Sequence, residues 1–150
     1  MGVDNLKVKG QVMATRQTKY PNTKTFVFEN RNPKGRITTD CVVRAISKAT
    51  NKKWETILME LIRTTIDTGY MINEPKCYGV YLQAKGWKKQ KQPRKIDNTK
   101  YTLSEFIRLH PTGTYLVHLP HHLTAVKDGK CYDIWDCSKS SRRVGNYWTK

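Results

Sequence analysis

Apolar positions first recur along this chain with a helical period and later with a period of two. In the segment DCVVRAISKAT, Val42, Ala45, Ile46 and Ala49 fall at i, i+3, i+4 and i+7, one face of an α-helix. Asp40 stands just before it, where a carboxylate can accept hydrogen bonds from first-turn amides, so Cys41 is expected as the first helical residue. Trp54, Ile57, Leu58, Leu61, Ile62 and Ile66 keep the same spacing up to a glycine stop at Gly69. A third helix is predicted over about 75–85, with Asn73 near its start, Tyr78, Tyr81 and Leu82 inward, and Gly86 after it. Thr102 and Glu105 make a capping box for a fourth, with Tyr101 and Phe106 as the accompanying staple and Pro111 and Gly113 beyond its end.

The strand period appears briefly at Thr25–Glu29 (TFVFE), followed by a loop, RNPKGRITTD, marked by Pro33 and Gly35. It returns after Gly113: strands are predicted at Thr114–Leu119, His122–Lys127, Lys130–Asp136 and Val144–Trp148. Asp128-Gly129 between two of these runs is a strong two-residue hairpin signal. Trp87–Lys95 (WKKQKQPRK) reads as a basic loop, and residues 1–23 as a basic N-terminal arm without sustained period. Helices first and an antiparallel sheet later predict one α+β domain over 24–150.

Composition narrows the picture. At 150 residues and 37% hydrophobic content, the chain can bury one ordinary core. No run approaches the roughly 18 apolar residues of a membrane span. The opening MGVDNLKVKG lacks the apolar stretch of a signal peptide, and Leu6 stands where a myristoylation signal needs Ser or Thr. A cytoplasmic location is therefore expected. Lys and Arg number 28 against 12 Asp and Glu, a net +16 that favours contact with polyanions, although a solvated surface carries the same signature. Cys41, Cys77, Cys131 and Cys137 show no CxxC spacing and are expected as free thiols.

Candidate chemistry centres on Cys41. A thiol attacks as its thiolate, and a helix start favours the anion through the helix dipole and unpaired amides. Such a nucleophile needs a base, and the base an orienting group. With Asp128 and Gly129 as the turn, His122 faces Trp135 and Thr124 faces Asp133. His122, Thr124, Asp133 and Trp135 then share one side of the sheet. Asp133 is a diagonal neighbour of His122, with Cβ atoms somewhat under about 8 Å apart. Asp136 falls on the other side unless a bulge intervenes, and is the alternative third member.

A cysteine at a helix start, then a late His–apolar strand, a turn, and a strand bearing Asp before Trp resembles the papain-like cysteine peptidases. Asp40-Cys41 and His122-Leu-Thr-Ala-Val126 are similar to the peptidases that trim double-glycine leaders. The resemblance covers about residues 30–137. It implies a papain-like fold, with the nucleophile's helix packed on the C-terminal sheet, and a peptide or protein substrate. It also implies Cys41 as nucleophile, His122 as general base and acid, Asp133 as the group orienting the imidazole, and Trp135 as a shield over that contact. The glutamine that this family places about six residues before the cysteine is Gly35 here. Oxyanion donors are therefore expected from the Cys41 backbone and, as a substitute, Asn32. Two other readings concern the same residues. His118, His121 and His122 lie near Cys131 and Cys137, but no pair has a familiar zinc spacing, so neither metal nor cofactor is expected. The basic loop and the tail SKSSRRVGNYWTK allow a non-catalytic module that binds nucleic acid or a protein partner.

Overall fold

The periodicities become elements with modest shifts of boundary in the computed structural model, which describes residues 15–150 and the backbone of two short strands, β1 (Lys7–Val8) and β2 (Gln11–Val12). β1 and β2 pair antiparallel with one another. The rest of the first 14 positions, part of the expected arm, lies outside the described residues. The end of that arm includes a helical turn, α1 (Arg16–Lys19), capped by the Thr15 side chain, which accepts from the Thr18 amide. No described helix is long and apolar enough to cross a membrane.

The helices α2 (Cys41–Thr50), α3 (Trp54–Thr68), α4 (Pro75–Ala84) and α5 (Leu103–Leu109) match the expected segments. Gly69 closes α3 in the left-handed conformation at φ 78°. Thr102 and Glu105 make both bonds of the capping box on α5. The expected apolar stripe of α3 is only half used. Ile57 and Leu61 are fully buried, whereas Ile62 and Ile66 are exposed, because α2 and α4 cover one side of the helix and nothing described covers the next turn round.

The strands are β3 (Phe26–Phe28), β4 (Lys88–Gln90), β5 (Thr114–Leu119), β6 (His122–Lys127), β7 (Lys130–Asp133) and β8 (Tyr147–Thr149). They form a six-stranded sheet in the order β3-β7-β6-β5-β8-β4. The expected antiparallel sheet is in fact mixed, since β3 runs parallel to β7, with Phe26 beside Cys131. A strand separated from its neighbour by four helices is not bound by hairpin geometry, so local pattern could not set its direction. The expected basic loop contains β4, an edge strand paired with β8 whose Lys88 and Lys89 side chains point into solvent.

The β6–β7 hairpin has the predicted register: Ala125 faces Tyr132, Val126 faces Cys131 and Lys127 faces Lys130. Asp128 at φ 48° and Gly129 at φ 80° both take the positive φ that a two-residue turn of this hand requires. β7 ends at Asp133, short of the expected Asp136, because the Asp136 carboxylate caps a 3-10 turn over Cys137–Lys139.

Both sheet faces are covered, so β6 is buried at every position except Lys127. On one face Leu116, Leu123, Ala125 and Trp148 pack against α2, α3 and α4. On the other, Phe26, Val117, Val126 and Cys131 pack against α5 and the 3-10 turn. The start of α2 thereby lies over the start of β6, where the chemistry collects.

Candidate active site

Cys41 begins α2 and lies half-buried in the wall of a cleft of about 1110 Å³. His122 begins β6, immediately after the turn through Pro120 and His121. Its ring is 8% exposed, and Nε2 lies 2.6 Å from Asp133 Oδ2. That contact leaves Nδ1 as the free ring nitrogen, and Cys41 lies close enough to the imidazole for each group to shift the other's titration. Trp135 stands against the imidazole, ring centroids 5.1 Å apart, and lines the same cleft. The structure thus brings Cys41, His122, Asp133 and Trp135 together across about eighty residues of intervening chain.

The electrostatics of the group are those of an ion pair. Burial pushes the Cys41 thiol up, but the bond from His122, the Leu123 backbone and the charges of His122 and Arg44 more than offset it and hold the thiol below its ordinary value. Burial alone would lower His122, yet its bonds to Asp133 and Cys41 raise it to about 9. Asp133 is 1% exposed, and burial opposes its charge, but His122 and Arg44 hold it well below the usual carboxylate range. The three shifts run in one direction, each favouring the charged form: thiolate, imidazolium and carboxylate.

Two expected assignments fail. Asn32 does not serve the cleft: its Nδ2 donates to Asp40 Oδ2 at 3.2 Å, it is 7% exposed, and it does not line the cavity. The loop before Cys41 folds inward, so a side chain expected as an oxyanion donor is used to hold a buried carboxylate. Asp136 does not approach His122 either. Its Oδ1 accepts from the Ser138 amide at 3.0 Å and from the Ser138 hydroxyl, because β7 ends early and turns the residue away.

Asp40 occupies the N-cap position of α2, but its side chain makes no cap bond. The carboxylate points inward, where Arg44 Nε (2.8 Å), Trp54 Nε1 (2.9 Å) and Asn32 Nδ2 donate to it. The first-turn amides of α2 are consequently left without that cap, at the place where Cys41 would meet a carbonyl.

Sequence reasoning missed Arg44. Its Nε holds Asp40 while Nη1 holds Asp133 Oδ1 at 2.7 Å, so one buried guanidinium joins the residue before Cys41 to the residue behind the imidazole. The available signal was an arginine inside the apolar run Val42–Ile46 of a helix, one turn after both Asp40 and Cys41. Tyr78, expected only as core, also lines the cleft. Burial and the neighbouring Cys41 charge push its phenol up to about 12, so it remains a neutral donor.

Cys137 is a second thiol at this centre, 3.2 Å from Asp133 Oδ2 and 3.6 Å from His122 Nε2. It is fully buried, and burial pushes it well above its ordinary value, so it donates to Asp133 as a thiol and is no rival nucleophile. His122, Asp133 and Cys137 have ligand atoms close enough to share a metal ion. Arg44 already places a positive charge on Asp133, and the three supply one ligand fewer than a closed tetrahedral site. His118 is half-buried in β5 and His121 is exposed in the turn, and neither belongs to that group.

No family model, curated protein or solved structure matches this chain.

Proposed function

We propose that this chain is a thiol-dependent acyl-transfer enzyme and, within that class, a papain-like cysteine peptidase or amidase. The observation that carries the reading is the juxtaposition of Cys41 and His122 in one cleft wall, with Asp133 on the ring's Nε2 at 2.6 Å. A protein that only binds its partner has no use for a thiol held below its ordinary value at the mouth of a cleft. The same pair weighs against an inactive papain-like scaffold or a basic binding module.

In this mechanism the Cys41 thiolate adds to the carbonyl carbon of a peptide or isopeptide-like amide. Negative charge moves to the carbonyl oxygen, within reach of the uncapped amides at the start of α2. Protonated His122 transfers its proton to the leaving nitrogen as the C–N bond breaks, and a thioester on Cys41 remains. Neutral His122 then takes a proton from water as the water oxygen attacks the thioester. Collapse of that adduct expels the thiolate, releases the carboxylic acid and restores the ion pair. Asp133 keeps the imidazole turned and stabilises its charge, and Trp135 excludes water from their contact.

Alkylation by iodoacetamide across pH tests the reading. Cys41 is expected to label well below pH 8 and faster than Cys77, Cys131 and Cys137, which are all buried, and to lose that advantage in His122→Ala. Equal, slow labelling of Cys41 in the two proteins would remove the base from the mechanism and the reading with it.

A further inference from the structure

We propose that the cleft beside Cys41 takes an acidic peptide, one that carries side-chain or terminal carboxylates near the amide to be cleaved. The inference rests on Cys41 being the nucleophile and adds the class of its substrate. Its basis is an imbalance of charge in the cleft wall. Arg16, Lys100, Arg142 and Arg143 line the cavity together with Arg44, and among the described residues no Asp or Glu does.

With 28 Lys and Arg against 12 Asp and Glu, many cations of the chain have no acid partner, so what marks the cleft is the convergence of its cations beside Cys41. Elsewhere some cations do meet acids: Arg31 and Lys48 meet Glu29, Lys85 meets Glu60, Lys95 meets Glu105, and Arg63 meets Asp67. Arg44 is occupied by Asp40 and Asp133. Among the described residues, Arg16, Lys100, Arg142 and Arg143 form no ion pair.

Two of these cations are also held in place by groups that orient them without neutralising them. Arg16 Nε donates to the Ile134 carbonyl at 2.6 Å. Arg142 Nη1 donates to the Pro120 carbonyl at 3.2 Å, and its guanidinium lies 5.1 Å over the Trp135 ring. Trp135 in turn packs on His122, so Arg142 is one side chain removed from the imidazole. A guanidinium anchored through one edge keeps further N–H groups for a planar, bidentate anion such as a carboxylate. Gly145 shapes the adjoining wall: a Cβ there would lie 2.8 Å from His118 Nδ1, so a side chain would displace that ring, which also lines the cleft. A peptide fits better than a nucleic acid, which offers many anions but no amide bond in its backbone on which a thiolate can form a thioester.

The test compares labelling rates at Cys41 in the full chain, read by intact mass. The probes are matched hexapeptide vinyl sulfones carrying Glu, Gln or Lys beside the warhead, with iodoacetamide as an uncharged reference. The Glu probe is expected to react roughly three- to tenfold faster than the Gln probe at low salt, and the Lys probe more slowly than either. The preference, taken as the ratio of Glu-probe to Gln-probe rates within each protein, should shrink toward unity by about 0.5 M salt and fall in Arg16→Gln, Arg142→Gln and Arg143→Gln. Rapid iodoacetamide labelling without a Glu preference in the wild type would overturn the substrate class and leave the nucleophile standing. Slow iodoacetamide labelling would overturn the nucleophile itself. Protection of Cys41 by an oligonucleotide, where polyglutamate of equal charge gives none, would overturn the peptide in favour of nucleic acid.

Discussion

Replacing Arg44 by Met removes the one group that holds two buried carboxylates at once. The guanidinium lies 2.8 Å from Asp40 Oδ1 and 2.7 Å from Asp133 Oδ1, with side-chain exposures of 7%, 7% and 2%. Charge centres about 4 Å apart attract by roughly 4 kcal/mol at an effective dielectric constant of about 20. Burying the ions offsets much of that attraction, but truncating one partner leaves the others desolvated, at a cost of about 3–5 kcal/mol. Asp133 keeps His122, the Ile134 amide and the Cys137 thiol, so the greater loss falls on Asp40, which keeps only the neutral donors Trp54 Nε1 and Asn32 Nδ2. For a chain of this length the expected fall in Tm is roughly 6–20 °C. Urea melts at pH 7 give the value directly, with Arg63→Met as the control. Arg63 meets Asp67 at 3.7 Å with 77% of its side chain exposed, and its loss should stay within about 0.5 kcal/mol. Asp40→Asn on the Arg44→Met background should cost less than the two single changes added, since it removes one of the stranded charges. A loss under about 1 kcal/mol for Arg44→Met would refute the argument, because no uncompensated buried carboxylate could then have been created.

The same geometry sets further outcomes. Asp136→Ala should cost about 1 kcal/mol through the lost cap on Ser138 and leave the alkylation profile of Cys41 unchanged, whereas Asp133→Asn should shift that profile. Identical profiles for wild type and Asp133→Asn would deny Asp133 its role. Asp133 is held below its unfolded value, so the stability it contributes is present above about pH 4 and is lost as pH falls toward its folded value. Urea midpoints between pH 6 and pH 3 should therefore fall less steeply in Asp133→Asn than in the wild type. On the alkaline side two shifts oppose one another. His122 is raised to about 9, so its contribution is complete below about pH 6.5 and lost as pH rises through 9. Cys41 is lowered, so its contribution is present above its ordinary value and lost as pH falls. Between about pH 6.5 and 9 the two oppose one another, so the wild-type midpoint should fall less than the His122 shift alone would make it. Cys41→Ala should expose the His122 limb as a decline above about pH 6.5, and a flat profile in that variant would contradict the pairing.

What could be read from the sequence was whatever depends on near neighbours in the chain. Helical spacing located α2 through α5, the Thr102–Glu105 capping box marked the start of α5, and Asp128-Gly129 set a register in which His122 and Asp133 share a side of the sheet. Backbone periods and turn rules act over a few residues, so they survive without knowledge of the fold. The parallel pairing of β3, the edge strand β4 and the exposure of Ile62 and Ile66 were decided only when distant segments met, because burial depends on what covers a face and not on the face alone. The site divides along the same line. Cys41 at a helix start and Asp133 as a diagonal neighbour of His122 were local inferences. The inward turn of Asp40, the capture of Asn32 and Asp136 by other partners, and the bridge through Arg44 were set by tertiary packing. A carboxylate removed from water must take whichever donors folding carries to it, and those donors come from any part of the chain.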